Sequence, residues 1–446
     1  MSSTLHRRLT APLAILAVSS LALVGCSGGG TGGGAATGPG DAGKADGVVT
    51  IYGGISDTEA ELLQKSWADW EKANNIQIKY EASKEFETQI SIRAQGGNAP
   101  DLAIFPQPGL LGDLASRNLI QPAPAGVKAN VEKYWSKDWA NYATTNGVLY
   151  GAPLMASVKG FIWYSPKQFK DNGWTVPTTW QGLLDLTKQM RDKLGTAPWC
   201  AGFGSGDASG WPGTDWVEDL VLRQAGPQVY DDWVSHKVKF SDPQIKAAFD
   251  SVGKILLNPD YVNAGFGDVK SINATAFGDV ARAMGNGTCS LTHQASFFDG
   301  FLTDPKNGNT TVGPDKNIWA FMTPSVQAGG NAVTGGGEIV AAFSNDADTI
   351  KVQEYLSSPE WANSRVKLGG VISANNGLDP ANASSPILSE AIKILQDPKT
   401  TFRFDGSDLM PGVVGSGSFW TGMVDWINGK SVDEVLKTID GSWPSS

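Results

Sequence analysis

The chain has 446 residues, and 45 acidic against 35 basic side chains give it a net charge of −10. No basic patch stands out, which argues against a nucleic-acid-binding role. The region from residue 48 to the end is too long for a single hydrophobic core, so we expect two lobes. After the first 25 residues, no apolar run approaches the roughly 20 residues that a membrane-spanning helix needs.

The N-terminal segment has the form of an export signal. Arg7 and Arg8 precede an apolar run over residues 11–24, which is too short and wrongly flanked for a membrane span. The run ends in Leu-Val-Gly-Cys, which resembles the lipobox of bacterial lipoproteins. This resemblance implies that residues 1–25 are a signal peptide and that Cys26 is acylated as the mature N-terminus. The alternative is an ordinary secretory signal with a chance cysteine.

Residues 26–47 are rich in glycine and poor in apolar side chains, so we expect a flexible tether. Loss of Arg7 and Arg8 with the signal takes the net charge from −10 to −12. A polar domain held in this way would be extracytoplasmic, anchored as a lipoprotein to the outer face of the cell membrane. It would act on something that arrives from outside.

Of the three cysteines, one lies at the end of the signal segment and two lie in the domain. If Cys26 carries lipid, Cys200 and Cys289 remain as an even pair in an oxidising compartment, and we expect a disulfide between them. Two buried free thiols are the alternative, because the sequence does not place the two Cα atoms within bonding reach.

The first part of the domain alternates strands and helices. Strands are predicted at 48–52, 76–80 and 102–105, and helices at 56–72 and 85–95. Ser56 and Glu59 have the spacing of a capping box at the start of the first helix. This alternation is typical of a parallel α/β layer, whose ligands lie beyond the carboxyl ends of the strands. Those ends are the loops at 53–54, 83–86 and 106–108.

Further elements follow in a less regular order. Strands are predicted at 159–164, 317–322 and 335–343, and helices at 346–355, 359–366, 419–427 and 431–441. Ser431 and Glu434 form a second capping-box pattern at the start of the last helix. No internal repeat of fixed period is present.

Four segments carry a resemblance to a known family: 98–109 around Pro100-Asp101, 210–216, 403–411 and 419–426. Together with the lipobox and the strand at 159–164, they resemble the extracellular solute-binding proteins of bacterial ABC sugar importers. Within that family the chain most resembles the α-glucoside-binding branch.

The resemblance implies a two-lobed α/β protein with the periplasmic-binding-protein fold. Each lobe would be a mostly parallel sheet flanked by helices, and crossing strands would join the lobes. We place one lobe at 48–155 and 325–370 and the other at 156–324 and 371–446. An α-glucoside such as trehalose, maltose or sucrose would bind in the cleft, and the closed form would dock on a membrane permease. We expect no cofactor, no metal and a monomer.

A sugar site needs carboxylates, amides and arginine at the hydroxyl edges and aromatic rings on the ring faces. Asp405 and Asp408, next to Arg403, supply such groups in a loop rich in Gly and Pro. The alternative is a solvated turn with a surface ion pair. We favour binding, because loops on a rigid scaffold often carry function and the resemblance agrees.

Two tryptophans are candidate platforms for a sugar ring. Trp211 lies in a Gly/Pro loop and is a better candidate for a platform than for the core. Trp420 opens a helix, and there the platform and core interpretations are equally favoured. Asp215 either contacts ligand or forms an N-cap pair with Glu218, and the two roles are compatible.

The remaining candidates for substrate contact are Glu85, Phe86, Glu87, Gln107, His293, Gln294 and Glu338. Gln107 stands at the carboxyl end of a strand, which favours contact. A lone histidine such as His293 is more often structural than a ligand contact. The acids at 85 and 87 also suit a helix N-terminus electrostatically, and Glu338, after three glycines, faces either the cleft or solvent.

Signatures of catalysis are missing from the sequence. Gly429-Lys430-Ser431 ends like a P-loop, but Val424 stands where that motif needs glycine. No G-x-S-x-G elbow occurs, and two distant histidines outside the signal do not make a usual zinc site. A glycoside hydrolase using Asp405 and Asp408 is the alternative function, although two residues in one loop are poorly placed to flank a scissile bond.

Overall fold

The computed structural model describes residues 45–263, 265–326, 330–397 and 399–444. The predicted signal peptide, Cys26 and nearly all of the tether lie outside the described residues. Within the described ranges, no helix is both long enough and apolar enough to cross a membrane.

The strands form a larger sheet, a smaller sheet and a short hairpin. In chain order they are β1 (Val48–Gly53), β2 (Gln77–Ala82), β3 (Leu102–Phe105), β4 (Thr144–Thr145), β5 (Val148–Leu149), β6 (Gly151–Val158), β7 (Phe161–Tyr164), β8 (Leu291–Gln294), β9 (Trp319–Met322), β10 (Ala332–Ala342) and β11 (Thr401–Phe404). The larger sheet has the order β11-β10-β3-β1-β2, with β6 also paired to β10, and the smaller sheet has the order β8-β7-β9.

Helices fill most of the chain between the strands. They are α1 (Asp57–Asn74), α2 (Phe86–Gln95), α3 (Pro108–Ser116), α4 (Ala125–Tyr134), α5 (Lys137–Tyr142), α6 (Pro166–Asn172), α7 (Trp180–Leu194), α8 (Trp211–Ala225), α9 (Pro227–Val234), α10 (Pro243–Leu256), α11 (Ser271–Ala274), α12 (Val280–Gly285), α13 (Phe298–Thr303), α14 (Ala347–Leu356), α15 (Pro359–Lys367), α16 (Pro386–Gln396), α17 (Gly406–Leu409), α18 (Trp420–Ile427) and α19 (Val432–Gly441). Short 3₁₀ turns occur at Phe277–Asp279, Pro305–Asn307 and Pro380–Asn382, and a π-helical segment at Val413–Phe419.

The predicted parallel layer at the start of the domain is confirmed. β1 pairs in parallel with both β2 and β3. Val49 and Ile51 of β1 share a buried core with Leu63 and Trp67, which lie four residues apart on α1. Because β1, β2 and β3 run in the same direction, the loops after them meet at one edge of the sheet.

β10 makes the larger sheet mixed. It runs antiparallel to β3 and β6 and parallel to β11. Its register with β6 shifts between Gly337 and Ile339, so Glu338 lies in a bulge. A Cβ at Gly337 would lie 2.3 Å from the Met155 carbonyl oxygen, which explains the glycine. A bulge commonly redirects a side chain toward a functional site.

The expectation that each lobe contains a mostly parallel sheet is wrong for the smaller sheet. There β7 pairs antiparallel with both β8 and β9. A parallel sheet requires crossovers that return each strand in the same direction. The connection between β7 and β8 is long and mainly helical. It returns the chain so that β8 runs in the direction opposite to β7.

A direct connection joins the two sheets. β6 of the larger sheet leads through Lys159 and Gly160 into β7 of the smaller sheet. Gly160 has φ +81°, and a Cβ there would lie 2.7 Å from each carboxylate oxygen of Asp219. This crossing therefore needs glycine, and it holds Lys159 at the junction between the sheets.

Three local predictions have clear outcomes. Cys200 and Cys289 form a disulfide with a Cα–Cα distance of 5.7 Å, which confirms that prediction. The capping box predicted at Ser56 is wrong, because its hydroxyl bonds to Asp57 (2.8 Å) and makes no cap bond to the helix. The second capping box, Ser431 with Glu434, is present.

The C-terminal part of the chain pairs with strands of the larger sheet and also packs in the core around the smaller sheet. Ile372 bridges to Ala156 of β6, and β11 pairs with β10 in the larger sheet. Met423 of α18 and Leu436 of α19 instead belong to the core around the smaller sheet. The lobe boundaries given above stay a prediction.

Candidate ligand-binding site

A cavity of about 690 Å³ lies where the predicted loops meet. Its walls include Gly54 after β1, Ser83 after β2 and Pro106 after β3, as expected for the carboxyl ends of parallel strands. The opposite walls come from segments 204–211, 276–282, 297–307 and 405–408, together with Trp420.

One wall of the cavity is aromatic. The ring of Trp211 lies 5.0 Å from that of Phe277 and 6.0 Å from that of Phe297, and Phe301 lies 5.2 Å from Phe277. All four residues line the cavity. Trp420 also lines it, although only 3 % of this residue is exposed, so its platform and core interpretations are both supported. The wall offers flat apolar surfaces of the kind that stack on sugar rings.

The cavity also contains carboxylates with few partners. Glu59, Glu87, Glu338 and Asp408 line it. Glu87 Oε1 accepts a hydrogen bond from Gln107 Nε2 at 3.0 Å. Among the described residues, no other residue donates a hydrogen bond to the carboxylate of Glu59, Glu338 or Asp408. These oxygens are therefore available to an outside donor.

Burial raises the pKa of each of these four carboxyls, because the charged form loses solvation. The pKa of Glu338 rises to about 8 through burial and then through the nearby Glu59, while Arg365 acts in the opposite direction. Arg365 is fully buried, and its Nη1 donates to the Gly369 carbonyl at 2.8 Å. Partly protonated carboxyls can donate as well as accept hydrogen bonds.

Lys159 forms the centre of a buried ionic network beside the cavity. Its ammonium donates to Asp215 Oδ1 at 2.8 Å and to Asp405 Oδ2, and it lies 5.5 Å from the Trp211 ring centre. Burial alone would lower the pKa of Lys159, but Asp215 and Asp405 raise it well above its ordinary value. Burial would raise the pKa of Asp405, yet Lys159 lowers it to about 2.

The network also fixes the loop that carries Asp408. Glu218 accepts hydrogen bonds from the backbone N–H groups of Gly406 and Ser407, each at 3.0 Å. Asp405 Oδ1 accepts from the Ser407 hydroxyl (2.8 Å) and the Asp408 N–H (3.1 Å). These bonds position Asp408 at the cavity wall.

Oxygens of Asp215, Glu218 and Asp405 lie within 4.8 Å of one another, a spacing that suits a metal ion. Lys159 donates to two of the three carboxylates and supplies the positive charge of this cluster. The arrangement is therefore explained by an ion-pair network.

Two of the predicted contact residues have their side chains committed to this network. Asp405 and Asp215 are 1 % and 2 % exposed, and both bind Lys159. Asp405 still borders the cavity, whereas Asp215 does not. The N-cap interpretation of Asp215 is wrong, because α8 begins at Trp211 after Gly210, which has φ +108°.

The structure places three other candidates away from the cavity. Arg403 forms a bidentate pair with Asp231 at 2.6 and 2.8 Å, as in the surface-ion-pair alternative. His293 stacks on Trp216 with ring centres 4.4 Å apart. Gln294 uses its side-chain oxygen to accept from the Ala295 N–H at 3.1 Å. Each side chain is held by protein partners outside the lining of the cavity.

Of the three candidates at the start of α2, only Glu87 lines the cavity. Phe86 is fully buried, with ring centres 5.3 Å from Tyr52 and 5.5 Å from Phe105. Glu85 is exposed at the helix start. The helical rotation of about 100° per residue separates these neighbours into core, cavity and solvent. The other predicted lining residues are Gln107, Trp211, Glu338, Asp408 and Trp420.

Several lining residues were not predicted. The S-x-x-E spacing predicts a helix-capping role for Glu59, although the structure places it in the cavity lining. Lys159 is a single charge at the head of an otherwise apolar strand, a signal that would have identified it as unusual. Phe277 and Phe297 lie in irregular segments, where the sequence gives no indication that they meet.

Comparisons with known proteins identify the family. The family model for bacterial extracellular solute-binding proteins matches residues 56–362. The osmoprotective compounds-binding protein GgtB of Synechocystis sp. is 34% identical over 400 residues, which cover 89% of this chain and 92% of that protein. The α-glucosides-binding periplasmic protein AglE of Rhizobium meliloti is 35% identical over 414 residues, covering 89% of this chain and 87% of that protein.

Solved structures show the same fold. The bacterial solute receptor AcbH superposes with a TM-score of 0.75 at 18% identity, covering 88% of this chain and 97% of that one. The binding protein RafE in complex with raffinose gives a TM-score of 0.69 at 18% identity, covering 89% and 98%. The chain belongs to the bacterial extracellular solute-binding proteins and has their fold. This is a family of binding proteins, so the glycoside hydrolase alternative is not supported.

Proposed function

We propose that this solute-binding protein captures an α-glucoside of two or more sugar units in the cavity and delivers it to the permease of an ABC transporter. The observation that carries the proposal is the pairing, within one cavity, of unpartnered carboxylates with an aromatic wall. The carboxylates are those of Glu59, Glu338 and Asp408, and the wall includes Trp211 and Phe277.

This pairing suits a sugar because of how a sugar ring is built. Its edges carry hydroxyl donors, which bind carboxylates through charge-assisted hydrogen bonds. Its faces carry C–H groups, which pack on aromatic rings. A volume of about 690 Å³ is within the usual range for small-molecule sites and is large enough for more than one sugar unit.

The choice of an α-glucoside rests on the relatives. AglE is named for α-glucosides and GgtB for osmoprotective compounds, and each matches this chain along most of its length. Trehalose, maltose and sucrose are therefore the sugars to test first.

We extend the proposal to the location of the protein. The lipobox-like residues before Cys26 and the glycine-rich stretch 26–47 support a lipid anchor on the outer face of the membrane. A monomer on such a tether would carry its sugar to the permease by diffusion over a short distance. Fatty-acid labelling of the wild type, and its absence from Cys26→Ala, would test the anchor.

The binding function is tested by thermal-shift screening of the mature chain against a panel of sugars, followed by titration calorimetry. A sugar present at 100 times its dissociation constant should stabilise the protein by ~2.7 kcal/mol. We expect at least one α-glucoside to do so, and lactose and cellobiose, which lack α-glucosidic linkages, to serve as controls. Stabilisation by the controls alone would contradict the assignment to α-glucosides.

A further inference from the structure

One end of the cavity has more acceptors than donors. Glu87 accepts one hydrogen bond from another residue, Gln107 Nε2, and no described residue donates to the carboxylate of Asp408. Gln107 is 4 % exposed, and its Oε1 is buried without a partner in the described part of the chain. Two carboxyls and one amide oxygen therefore receive a single hydrogen bond from another described side chain, that of Gln107.

Lys159, the cation that acts on Asp408, is already paired with other acids. Lys159 binds Asp215 and Asp405, and Glu218 adds a further acid to the same network. One ammonium thus stands beside several carboxyls, and Asp408 and Glu87 lie on the cavity side of it. Burial raises the pKa of Asp408, and the nearby Asp405 raises it further. Lys84, Arg282 and Lys306 also line the cavity, and Lys84 and Arg282 pair with Asp57 and Asp279. Among the described residues, none of these cations donates a hydrogen bond to Glu87 or Asp408.

We propose that the cavity end lined by Glu87, Gln107 and Asp408 takes a protonated amine, so that the protein binds amino-substituted α-glucosides more tightly than their neutral parents. This rests on the proposed function, since the amine would be carried by the same sugar scaffold. An ammonium group brings three donors and a positive charge, whereas the hydroxyl that it replaces brings one donor and no charge.

The test compares matched sugars by titration calorimetry on the mature chain. The probes are trehalose and maltose, and their derivatives in which an amine replaces one hydroxyl at each position in turn. For at least one position we expect an affinity at least tenfold higher than that of the neutral parent. The same derivative with its amine acetylated, and therefore uncharged, should lose the gain.

Two variants locate the effect. Glu87→Gln and Asp408→Asn should each reduce the ratio between amine and parent affinity toward one, because each removes, at nearly constant shape, a carboxyl that can pair with the ammonium as a carboxylate. Glu85→Gln is the matched control, since Glu85 is exposed two residues away and does not line the cavity. In the wild type, raising the pH above the amine's own pKa should also abolish the preference, without any substitution.

The outcomes separate this inference from the proposed function. Binding of the parents together with equal or weaker binding of every amine would overturn the inference and leave the function intact. An amine preference that persists in both Glu87→Gln and Asp408→Asn would also overturn it. If neither the parents nor the amines bind, the α-glucoside function itself fails.

Discussion

Asp405 and Asp408 lie three residues apart in one loop, yet their carboxylates have different hydrogen-bond partners. Asp405 is part of the paired region, in which Lys159 joins it to Asp215. Asp408 is part of the unpaired region, which faces the cavity with no protein donor among the described residues. Carboxylates that accept hydrogen bonds from the protein hold the loop in place. Carboxylates without a protein donor are free to bind a ligand.

The largest expected effect is a loss of folding stability when the paired region loses its lysine. Lys159→Met should lower the free energy of unfolding by ~3–5 kcal/mol, because it leaves buried carboxylates without their cation. Urea denaturation followed by fluorescence would measure it. Lys167→Met is the control, since Lys167 pairs with Asp171 on the surface and should change stability by less than ~1 kcal/mol. Equal effects of the two variants would remove the distinction between the regions.

A substitution in the unpaired region should weaken sugar binding and leave folding stability nearly unchanged. Asp408→Asn should lower the affinity for the sugar at least tenfold, since a charge-assisted hydrogen bond contributes ~1.5–3 kcal/mol. The free energy of unfolding should stay within ~0.5 kcal/mol of the wild type, because no protein donor loses its partner. Calorimetry and urea denaturation of the same preparation would report both quantities. A large loss of stability with unchanged affinity would reverse the assignment.

Trp211 connects the two regions, because it lines the cavity and lies against Lys159. Trp211→Ala should weaken sugar binding about three- to tenfold through loss of the stacking surface, which contributes ~0.5–1.5 kcal/mol beyond area burial. Trp174→Ala, in the core around the smaller sheet, should leave the affinity unchanged in the fraction that folds. If Trp211→Ala binds as tightly as the wild type, the aromatic wall is not a sugar platform.

The last prediction concerns a gradual dependence of stability on pH, which is small for any single step in pH. The pKa of Glu338 rises from 4.5 to about 8 on folding, so between these values the folded state binds more protons than the unfolded state. The free energy of unfolding should therefore fall as pH rises through this window, by at most ~1.4 kcal/mol per pH unit for one group. Glu338→Gln should flatten the slope there. A slope unchanged by the substitution would contradict the shift.

Much of the fold was predictable, because alternating strands and helices place the loops after β1, β2 and β3 at one edge. That pattern identified Gln107 and Glu87 as cavity residues. Strand direction in the smaller sheet was not predictable, since helices between β7 and β8 do not indicate where the chain re-enters. Burial of the apolar residues alone is compatible with either direction.

The site was predictable only in part. The motif around Asp405 and Asp408 was recognised, but sequence spacing does not reveal which carboxylate a distant Lys159 neutralises. The S-x-x-E spacing predicts a capping box at Glu59, because the spacing is the same whether or not the capping bond forms. The position of His293 beside Gln294 makes it a candidate ligand contact, yet stacking on Trp216 accounts for its burial without a ligand.

Titration calorimetry of trehalose, maltose and sucrose on the wild type, Asp408→Asn and Glu85→Gln tests the central claim most directly. One sugar should bind the wild type and Glu85→Gln with one-to-one stoichiometry and equal affinity, and should bind Asp408→Asn at least tenfold more weakly. The account is contradicted if no α-glucoside binds, or if the loss of affinity is the same for the exposed Glu85 as for the cavity residue Asp408.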